Sequence, residues 1–406
     1  MIRKWIVVFS LIVFSYFIFF SGRFSSDDPG KYVVPAGFYH QVDEELAQVS
    51  HNKVSEVFER LHRRGGFNGN VIYSEFGRVV YKESFGFADL RKRRDSLAPG
   101  SAFQLASVSK MFTATAIMIL AEEGKIGYDD PVENYIFGFP YPGVTIRHLL
   151  THRSGLPRYM SLTDRHWNNK KLITNRNVVD LLIRYKPGPY FSPDNGFHYC
   201  NTNYMLLACV VEAVSKISFD KFVKSRIFDP AGMSGSFVYN HNGLDEVPYR
   251  TQNGVPGHEG GHRWYRTIGD HYLNGVMGDK GVYSTVEDLF RFDSALTNEV
   301  LVSRETLSEA FSPASPPYRN RKDNYGFGWR IRDGMDSAVY HFGWWKGFRS
   351  YYIRDMARER TLIVLCNNTR GISSKILWDL LEQEWQTGEL VEIYRKLRQR
   401  NEMMKS

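Results

Sequence analysis

Ser107 and Lys110 lie three residues apart, in the segment Ser-Val-Ser-Lys that opens an apolar, helix-like stretch. One turn of helix brings the lysine onto the same side as the serine. The free N–H groups and the positive dipole end of a helix N-terminus stabilise the oxyanion that forms when a serine attacks a carbonyl. A partly desolvated lysine can help to activate the hydroxyl. Taken alone, the pattern is better explained by a helix-capping serine followed by a surface lysine.

Two further segments carry polar groups at places where elements meet. Residues 199–201 read Tyr-Cys-Asn and come just before a predicted helix, so a phenol and an amide stand two residues apart. Residues 341–348 read HFGWWKGF, and the first three of them end a predicted strand. Together with Ser107 and Lys110 they supply a nucleophile, proton carriers and an amide, which is a set that needs no metal.

The order of these motifs resembles that of the penicillin-recognising serine hydrolases, particularly class C β-lactamases and their relatives among D-alanyl-D-alanine peptidases and esterases. The resemblance runs from about residue 53 to residue 385, and six motifs in one order are far more specific than any one of them. In order, the segments are LASVSK at 105–110, LLTHRSGLP at 149–157, YCNTNY at 199–204, GDKGVYSTVEDL at 278–289, YGFGW at 325–329 and HFGWWKGF at 341–348.

The resemblance implies an acyl-enzyme mechanism. It makes Ser107 the nucleophile that becomes acylated, Lys110 its activating partner, and Tyr199 the residue that carries a proton between nucleophile and leaving group. The oxyanion hole would consist of the backbone N–H groups of Ser107 and Trp344. The resemblance implies neither a cofactor nor a metal.

The same resemblance implies a set of substrate-binding residues. Asn201 would bind the substrate carbonyl and the lysine, while His341 and Gly343 would lie on the strand that lines the opposite wall. Trp344 would make that wall bulky and aromatic, and Lys346 would offer positive charge to a substrate carboxylate. A solvated strand end is an equally good interpretation of the charge on Lys346.

Three departures from the family pattern bear on the substrate. Cys200 takes the place of a serine or alanine and is interpreted as a small buried residue. Phe342 takes the place of a hydroxyl-bearing residue that helps to hold the drug carboxylate in β-lactamases. Trp344 and Trp345 make the wall of the site bulky and aromatic. Efficient β-lactam hydrolysis is therefore not expected.

The predicted activity is that of a serine hydrolase that cleaves an ester or an amide, with a D-amino-acid peptide among the candidates. A member of the same fold that binds an envelope component without turnover is the alternative.

A zinc-protease pattern, H-E-x-x-H, occurs at residues 258–262. Such a site needs both histidines on one face of a helix. Pro256 and Gly257 precede the match, and two glycines lie inside it, so a helix is not expected there. A flexible glycine-rich loop is the favoured interpretation, and no metal site is predicted.

The elements that must position these groups follow from hydrophobic periodicity and turn residues. The prediction is an α+β fold with an antiparallel sheet built from both chain ends, flanked by helices, with a helical middle region, as in β-lactamases and transpeptidases. The predicted strands cover residues 70–74, 78–85, 338–341, 350–354 and 361–365, and the predicted helices cover 107–125, 203–216, a segment after Thr285, and 373–385.

The chain ends and the charge suggest where the protein works. Residues 1–22 begin with a basic pair and an apolar run and are predicted to be a membrane anchor, with a cleaved signal segment as the alternative. A linker at 23–52 ending in a short helix, a hydrolase domain at 53–388 and a basic tail at 389–406 complete the predicted organisation. Half of the net charge of +8 lies in residues 395–406, at the end of that tail, so a nucleic-acid-binding groove is not expected. The expected partners are a small-molecule or peptide substrate, which the cell wall could supply, and a membrane. Three scattered cysteines exclude a disulfide framework.

Overall fold

The computed structural model describes residues 36–64, 66–240, 253–261, 264–314, 325–332 and 335–382. The chain divides into two units, Met1–Leu46 and Ala47–Ser406, and the features below belong to the second. Helix α1, Ala36–Arg63, crosses the boundary that the sequence suggested between linker and domain, and its 28 residues replace the short helix expected there. The predicted anchor at 1–22 and the basic tail at 389–406 lie outside the described residues.

A six-stranded antiparallel sheet joins the two ends of the described chain, as predicted. Its N-terminal strand β1 pairs with the last strand, with Gly69 opposite Cys366. In spatial order the strands are β10 (Arg330–Arg332), β11 (Met335–Trp345), β12 (Phe348–Asp355), β13 (Arg360–Cys366), β1 (Gly69–Glu75) and β2 (Arg78–Phe85).

Smaller strands and a set of helices complete the described part of the chain. The strands are β3 (Phe87–Asp89), β4 (Arg94–Ser96), β5 (Phe103–Gln104), β6 (Phe237–Val238), β7 (His258–Gly261), β8 (Trp264–Thr267) and β9 (Val282–Ser284). The helices are α2 (Ser109–Glu122), α3 (Ile146–Leu150), α4 (Tyr159–His166), α5 (Asn175–Tyr185), α6 (Asn201–Ser215), α7 (Phe219–Val223), α8 (Val286–Thr297), α9 (Arg304–Ala310) and α10 (Ser374–Glu382).

Both faces of the sheet are covered, which explains why every residue of β1 and β13 is buried. One face, called here the terminal-helix face, packs against α1 and α10 through side chains such as Phe58 and Trp378. The other, called the central face, packs against the large core formed by the helical middle region, where Phe112 and Leu289 lie. The active-site candidates are on the central side.

Helix α2 is buried almost all round, as expected for a helix at the centre of a domain. It ends at Glu122, three residues before the predicted end at 125, and Gly124 beyond it adopts a left-handed backbone with φ +68°. The N–H groups of Gly124 and Lys125 donate to the carbonyls of Ala121 and Leu120, which is the Schellman arrangement. This end is therefore set by local sequence.

Candidate active site

Ser107 lies in a turn of 3-10 helix, Ala106–Val108, directly before α2. The sequence predicted it as the first residue of the α-helix, which instead begins at Ser109. The preceding Ala106 has φ +50°, a left-handed conformation that a residue with a side chain adopts only when its surroundings enforce it. Ser107 is half-buried in this tight turn, and its hydroxyl oxygen accepts a hydrogen bond from Lys110.

Lys110 connects three parts of the site. Its Nζ donates hydrogen bonds to Ser107 Oγ (3.1 Å), Asn201 Oδ1 (2.9 Å) and the backbone oxygen of Asp279 (2.9 Å). The side chain is completely buried. Three acceptors satisfy the three N–H groups of an ammonium. When the amine is neutral, its lone pair can accept from Ser107, while two N–H groups stay on Asn201 and Asp279.

Tyr199 and Asn201 flank that lysine at the start of α6. The Lys110 Nζ lies 5.0 Å from the centre of the Tyr199 ring. The Asn201 Nδ2 lies 4.0 Å from the Met160 sulfur, while the Oδ1 of the same amide accepts from Lys110. Cys200 between them is buried, as predicted, and its thiol points to the Leu156 carbonyl. The structure therefore brings together Ser107, Lys110, Tyr199 and Asn201.

Strand β11 forms the opposite wall, and Gly343 determines how closely it approaches Ser107. A Cβ added at Gly343 would lie 2.2 Å from the Leu105 carbonyl oxygen and 3.1 Å from the Ala106 side chain. Only a glycine allows this contact between the strand and the turn that bears the nucleophile. Trp344 follows in the chain, and its backbone N–H is the predicted second donor of the oxyanion hole.

His341 is placed on this wall but is not free to bind substrate. Its Nδ1 donates to the Phe342 carbonyl (2.9 Å), because a carbonyl can only accept, which leaves Nε2 to accept from the Tyr325 hydroxyl (3.1 Å). Burial, with the charges of Arg330 and Lys110, lowers the pKa of His341 well below its usual value. The imidazole is therefore neutral and holds Tyr325 in place.

Side chains alternate along β11, and this separates the residues of the HFGWWKGF segment. Phe342 packs on the terminal-helix face, with ring centres 4.9 Å from Tyr340 and 5.2 Å from Tyr351. The expectation that Phe342 occupies a carboxylate-binding position is therefore wrong, since its ring points away from Ser107. Trp344 points to the same side as Phe342 and is 63% exposed beside Arg349.

Trp345, rather than Trp344, provides the aromatic side chain of the wall. Its Nε1 donates to Asn274 Oδ1 at 2.8 Å, and its ring centre lies 5.1 Å from Lys280 Nζ. Lys346 is exposed in the two-residue turn that follows, with its Nζ 5.5 Å from the same ring.

A buried ion pair next to Lys110 was missed by the sequence analysis. Asp279, whose backbone oxygen accepts from Lys110, is 1% exposed, and Lys280 is 3% exposed. The two side chains lie 3.3 Å apart, and the Tyr159 hydroxyl bridges them, donating to Asp279 and accepting from Lys280. Burial lowers the pKa of Lys280. The GDKG segment was quoted as a family motif, but its sequence did not show that both charges are buried.

His152, in the quoted LLTHRSGLP segment, was also given no role. Its Nδ1 accepts from the Cys200 N–H (3.2 Å) and from Asn203 Nδ2 (3.0 Å). Burial is the main cause that lowers the pKa of His152 well below its usual value. A neutral imidazole thus holds the Cys200 backbone and the Asn203 side chain, on either side of Asn201.

The H-E-x-x-H segment begins as strand β7, which pairs with β8, rather than as the flexible loop expected. His258 is buried with its Nδ1 at 3.2 Å from the Asn367 carbonyl, and His262 lies outside the described residues. A strand cannot present residues four apart in the way the helical zinc motif requires. Within the described ranges, no group of three or more His, Cys, Asp or Glu side chains is arranged to hold a metal ion.

Comparison with known proteins identifies the family. The family model described as beta-lactamase matches residues 54–384, so the chain belongs to the β-lactamase family, a family of serine hydrolases. Penicillin-binding protein 4* of Bacillus subtilis is 38% identical over 79% of this chain and 73% of its own length.

Two solved structures show the same fold. A penicillin-binding protein from Bacillus halodurans superposes with a TM-score of 0.66 and 25% identity, over 80% of this chain and 96% of that one. The D-amino acid amidase from Ochrobactrum anthropi has a TM-score of 0.63 at 24% identity, over 78% of this chain and 91% of that one. The predicted β-lactamase-like architecture and family are therefore confirmed.

Proposed function

We propose that this protein is an exported hydrolase that cleaves an ester or amide bond through an acyl-enzyme on Ser107. The observation that carries the proposal is the hydrogen bond between Ser107 Oγ and the fully buried Lys110 Nζ. A lysine that has lost its hydration can exchange a proton with a hydroxyl at this distance.

The steps follow from the groups around Ser107. Its Oγ attacks the carbonyl carbon, its proton passes to Lys110 or Tyr199, and the carbonyl oxygen becomes an oxyanion facing the N–H groups of Ser107 and Trp344. The C–O or C–N bond then breaks, and the leaving group takes the proton. A water molecule attacks the acyl carbon and gives a proton to the same carriers. The bond between the acyl carbon and Ser107 Oγ then breaks, the Oγ takes that proton back, and the acid is released. Asn201 Nδ2 is the group we assign to the substrate carbonyl on the non-reacting side.

The aromatic side chain of Trp345 supports a preference for an apolar or aromatic acyl group, because burying such a group against the indole removes apolar surface from water. Penicillin binding, which the name of the Bacillus subtilis relative states for that protein, leads us to include a β-lactam among the test substrates. Small-molecule esters and D-amino-acid peptides complete the set.

The test is turnover of a panel of p-nitrophenyl esters, D-amino-acid peptides and nitrocefin, with fluorophosphonate labelling followed by intact mass. We expect one adduct per chain and faster turnover of aromatic esters than of nitrocefin.

Trp345→Ala should lower kcat/KM for the aromatic ester by about five- to fifty-fold relative to the acetyl ester. Trp345→Phe should retain most of the preference, and Lys346→Ala is the matched control on the same turn. Labelling without turnover of any panel member would instead support a binding protein, and nitrocefin turned over far faster than the best ester would contradict the assigned preference.

We also propose that residues 1–22 anchor the protein in a membrane, with the hydrolase domain outside the cytoplasm. The support is the apolar run that follows Arg3 and Lys4. In the described portion of the chain, no helix combines the length and apolar character needed to cross a membrane.

The anchor predicts how the protein fractionates. The full chain should stay with membranes after high-salt washing, because an apolar helix holds it and salt weakens only charge contacts. A chain that begins at Lys31 should be released in the same wash. Native protein found free of membranes, with a trimmed N-terminus, would show that the segment is a cleaved signal.

A further inference from the structure

Arg330 brings a second positive charge to Tyr199 from the outer strand of the sheet. Its guanidinium carbon lies 4.8 Å from the centre of the Tyr199 ring and 5.7 Å from that of Tyr325. A cation at this distance from the face of an aromatic ring is attracted by the ring electrons. Arg330 makes no contact with Ser107 in the hydrogen bonds and ion pairs described, and its recorded contact with the catalytic set is with Tyr199.

The neighbouring arginine on the same strand serves a different structure. Between Ile331 and Arg332, the pairing of β10 with β11 shifts register. Arg332 consequently lies over the Trp378 ring at 4.5 Å and donates to Glu382. The strand therefore presents one arginine to the active site and one to α10.

The other titratable groups around Tyr199 do not carry charge. The His152 and His341 rings lie 4.4 and 6.1 Å from the Tyr199 ring, and the Tyr325 ring lies at 6.0 Å. Burial lowers the pKa of both histidines and raises the pKa of Tyr325, so all three are neutral near pH 7. Tyr204, whose hydroxyl donates to the Leu150 carbonyl, is neutral for the same reason. Among the described residues, Lys110 and Arg330 are the two cations recorded against this ring.

We propose that Arg330 is a positioning residue whose fixed charge favours the phenolate form of Tyr199, the form that accepts the proton of the Ser107 hydroxyl. The inference rests on the proposed function, because it needs Tyr199 as a proton carrier. Lys110 loses its charge whenever it gives up a proton, whereas an arginine remains charged throughout the accessible pH range. Arg330 thus keeps one cation beside the phenolate both before Tyr199 takes up the proton and after the proton has gone on to the leaving group.

The test is the pH dependence of kcat/KM for a p-nitrophenyl ester in Arg330→Gln, Arg330→Lys and Arg332→Gln. Without the cation the neutral phenol is favoured, so in Arg330→Gln the acidic limb of the profile should move to higher pH by about one unit. Activity on that limb should fall about tenfold and approach the wild-type value on the alkaline side. Arg330→Lys should largely restore the wild-type profile, and Arg332→Gln should leave it unchanged.

The outcomes separate this inference from the proposed function. An unshifted limb in Arg330→Gln, or a loss that is equal at every pH, would overturn the role of Arg330. If Arg330→Gln does not fold, the Arg330→Lys profile decides instead. Because this variant keeps the cation, an acidic limb that moves to higher pH by about one unit would also overturn the role of Arg330. Fluorophosphonate labelling of the wild type is the independent check: its absence removes the proposed function, whereas normal labelling with an unshifted limb removes only the inference.

Discussion

Replacing Ser107 by alanine is expected to abolish turnover and covalent labelling together, with a loss of several orders of magnitude in kcat. The covalent route needs the Oγ, and the remaining groups can stabilise charge but cannot form the acyl-enzyme. Because Lys110 also holds Asn201 and Asp279, the site should keep its shape without the hydroxyl. The measurement combines steady-state turnover with the intact mass after fluorophosphonate treatment.

The matched control for this prediction is Ser109→Ala, two residues along the same segment. The Ser109 hydroxyl is buried and accepts a hydrogen bond from the Val282 N–H, so its loss affects folding rather than chemistry. A cost of about 1 kcal/mol in stability is expected, with labelling retained. Wild-type esterase and peptidase activity in Ser107→Ala would refute the acyl-enzyme assignment.

Lys280→Met should reduce the free energy of unfolding by about 3–5 kcal/mol, which is the usual result of leaving one member of a buried ion pair without its partner. Asp279 would keep the Tyr159 hydroxyl but lose the ammonium at 3.3 Å. The carboxylate must then stay charged in a buried site or take up a proton, and both changes cost free energy. Urea or thermal unfolding measures the loss.

Lys346→Met offers a close comparison, because Lys346 lies over the same Trp345 ring but is exposed in its turn. Its effect on stability should stay within about 0.5 kcal/mol. The double variant Asp279→Asn with Lys280→Met should recover part of the loss, since no uncompensated charge remains. If Lys280→Met is as stable as Lys346→Met, the buried pair does not stabilise the fold.

Sequence alone predicts most of the architecture, because its signals are local. Alternation of apolar residues identifies the strands at both chain ends, and Gly124 marks the end of α2. Thr285 caps α8 as expected, with its side chain accepting from the Asp288 N–H. The spacing of Ser107 and Lys110 likewise survives in the structure, because one turn of helix relates them.

The features that sequence analysis missed depend on contacts between distant segments. The approach of Arg330 to Tyr199 joins strand β10 to a segment far away in the sequence, and a register shift after Ile331 sends Arg332 to α10 instead. No pattern of residue types reveals either feature. The buried pair of Asp279 and Lys280 depends on Tyr159, 120 positions earlier in the chain than Asp279. Phe342 is different, since the period-two alternation of a strand that places Gly343 beside the nucleophile already directs Phe342 to the other face. That signal was present in the sequence.

The pairing of β1 with β13 affects the stage of synthesis at which this protein becomes active. Gly69 meets Cys366, so a strand made early in synthesis must wait for almost all of the remaining chain before its second edge is covered. Long-range pairing of this kind slows folding and makes it cooperative over the whole domain. The Gly343 wall reaches the Ser107 turn as part of the same closure. A growing or truncated chain therefore holds its nucleophile without the opposing wall, and hydrolytic activity first arises once synthesis has passed β13.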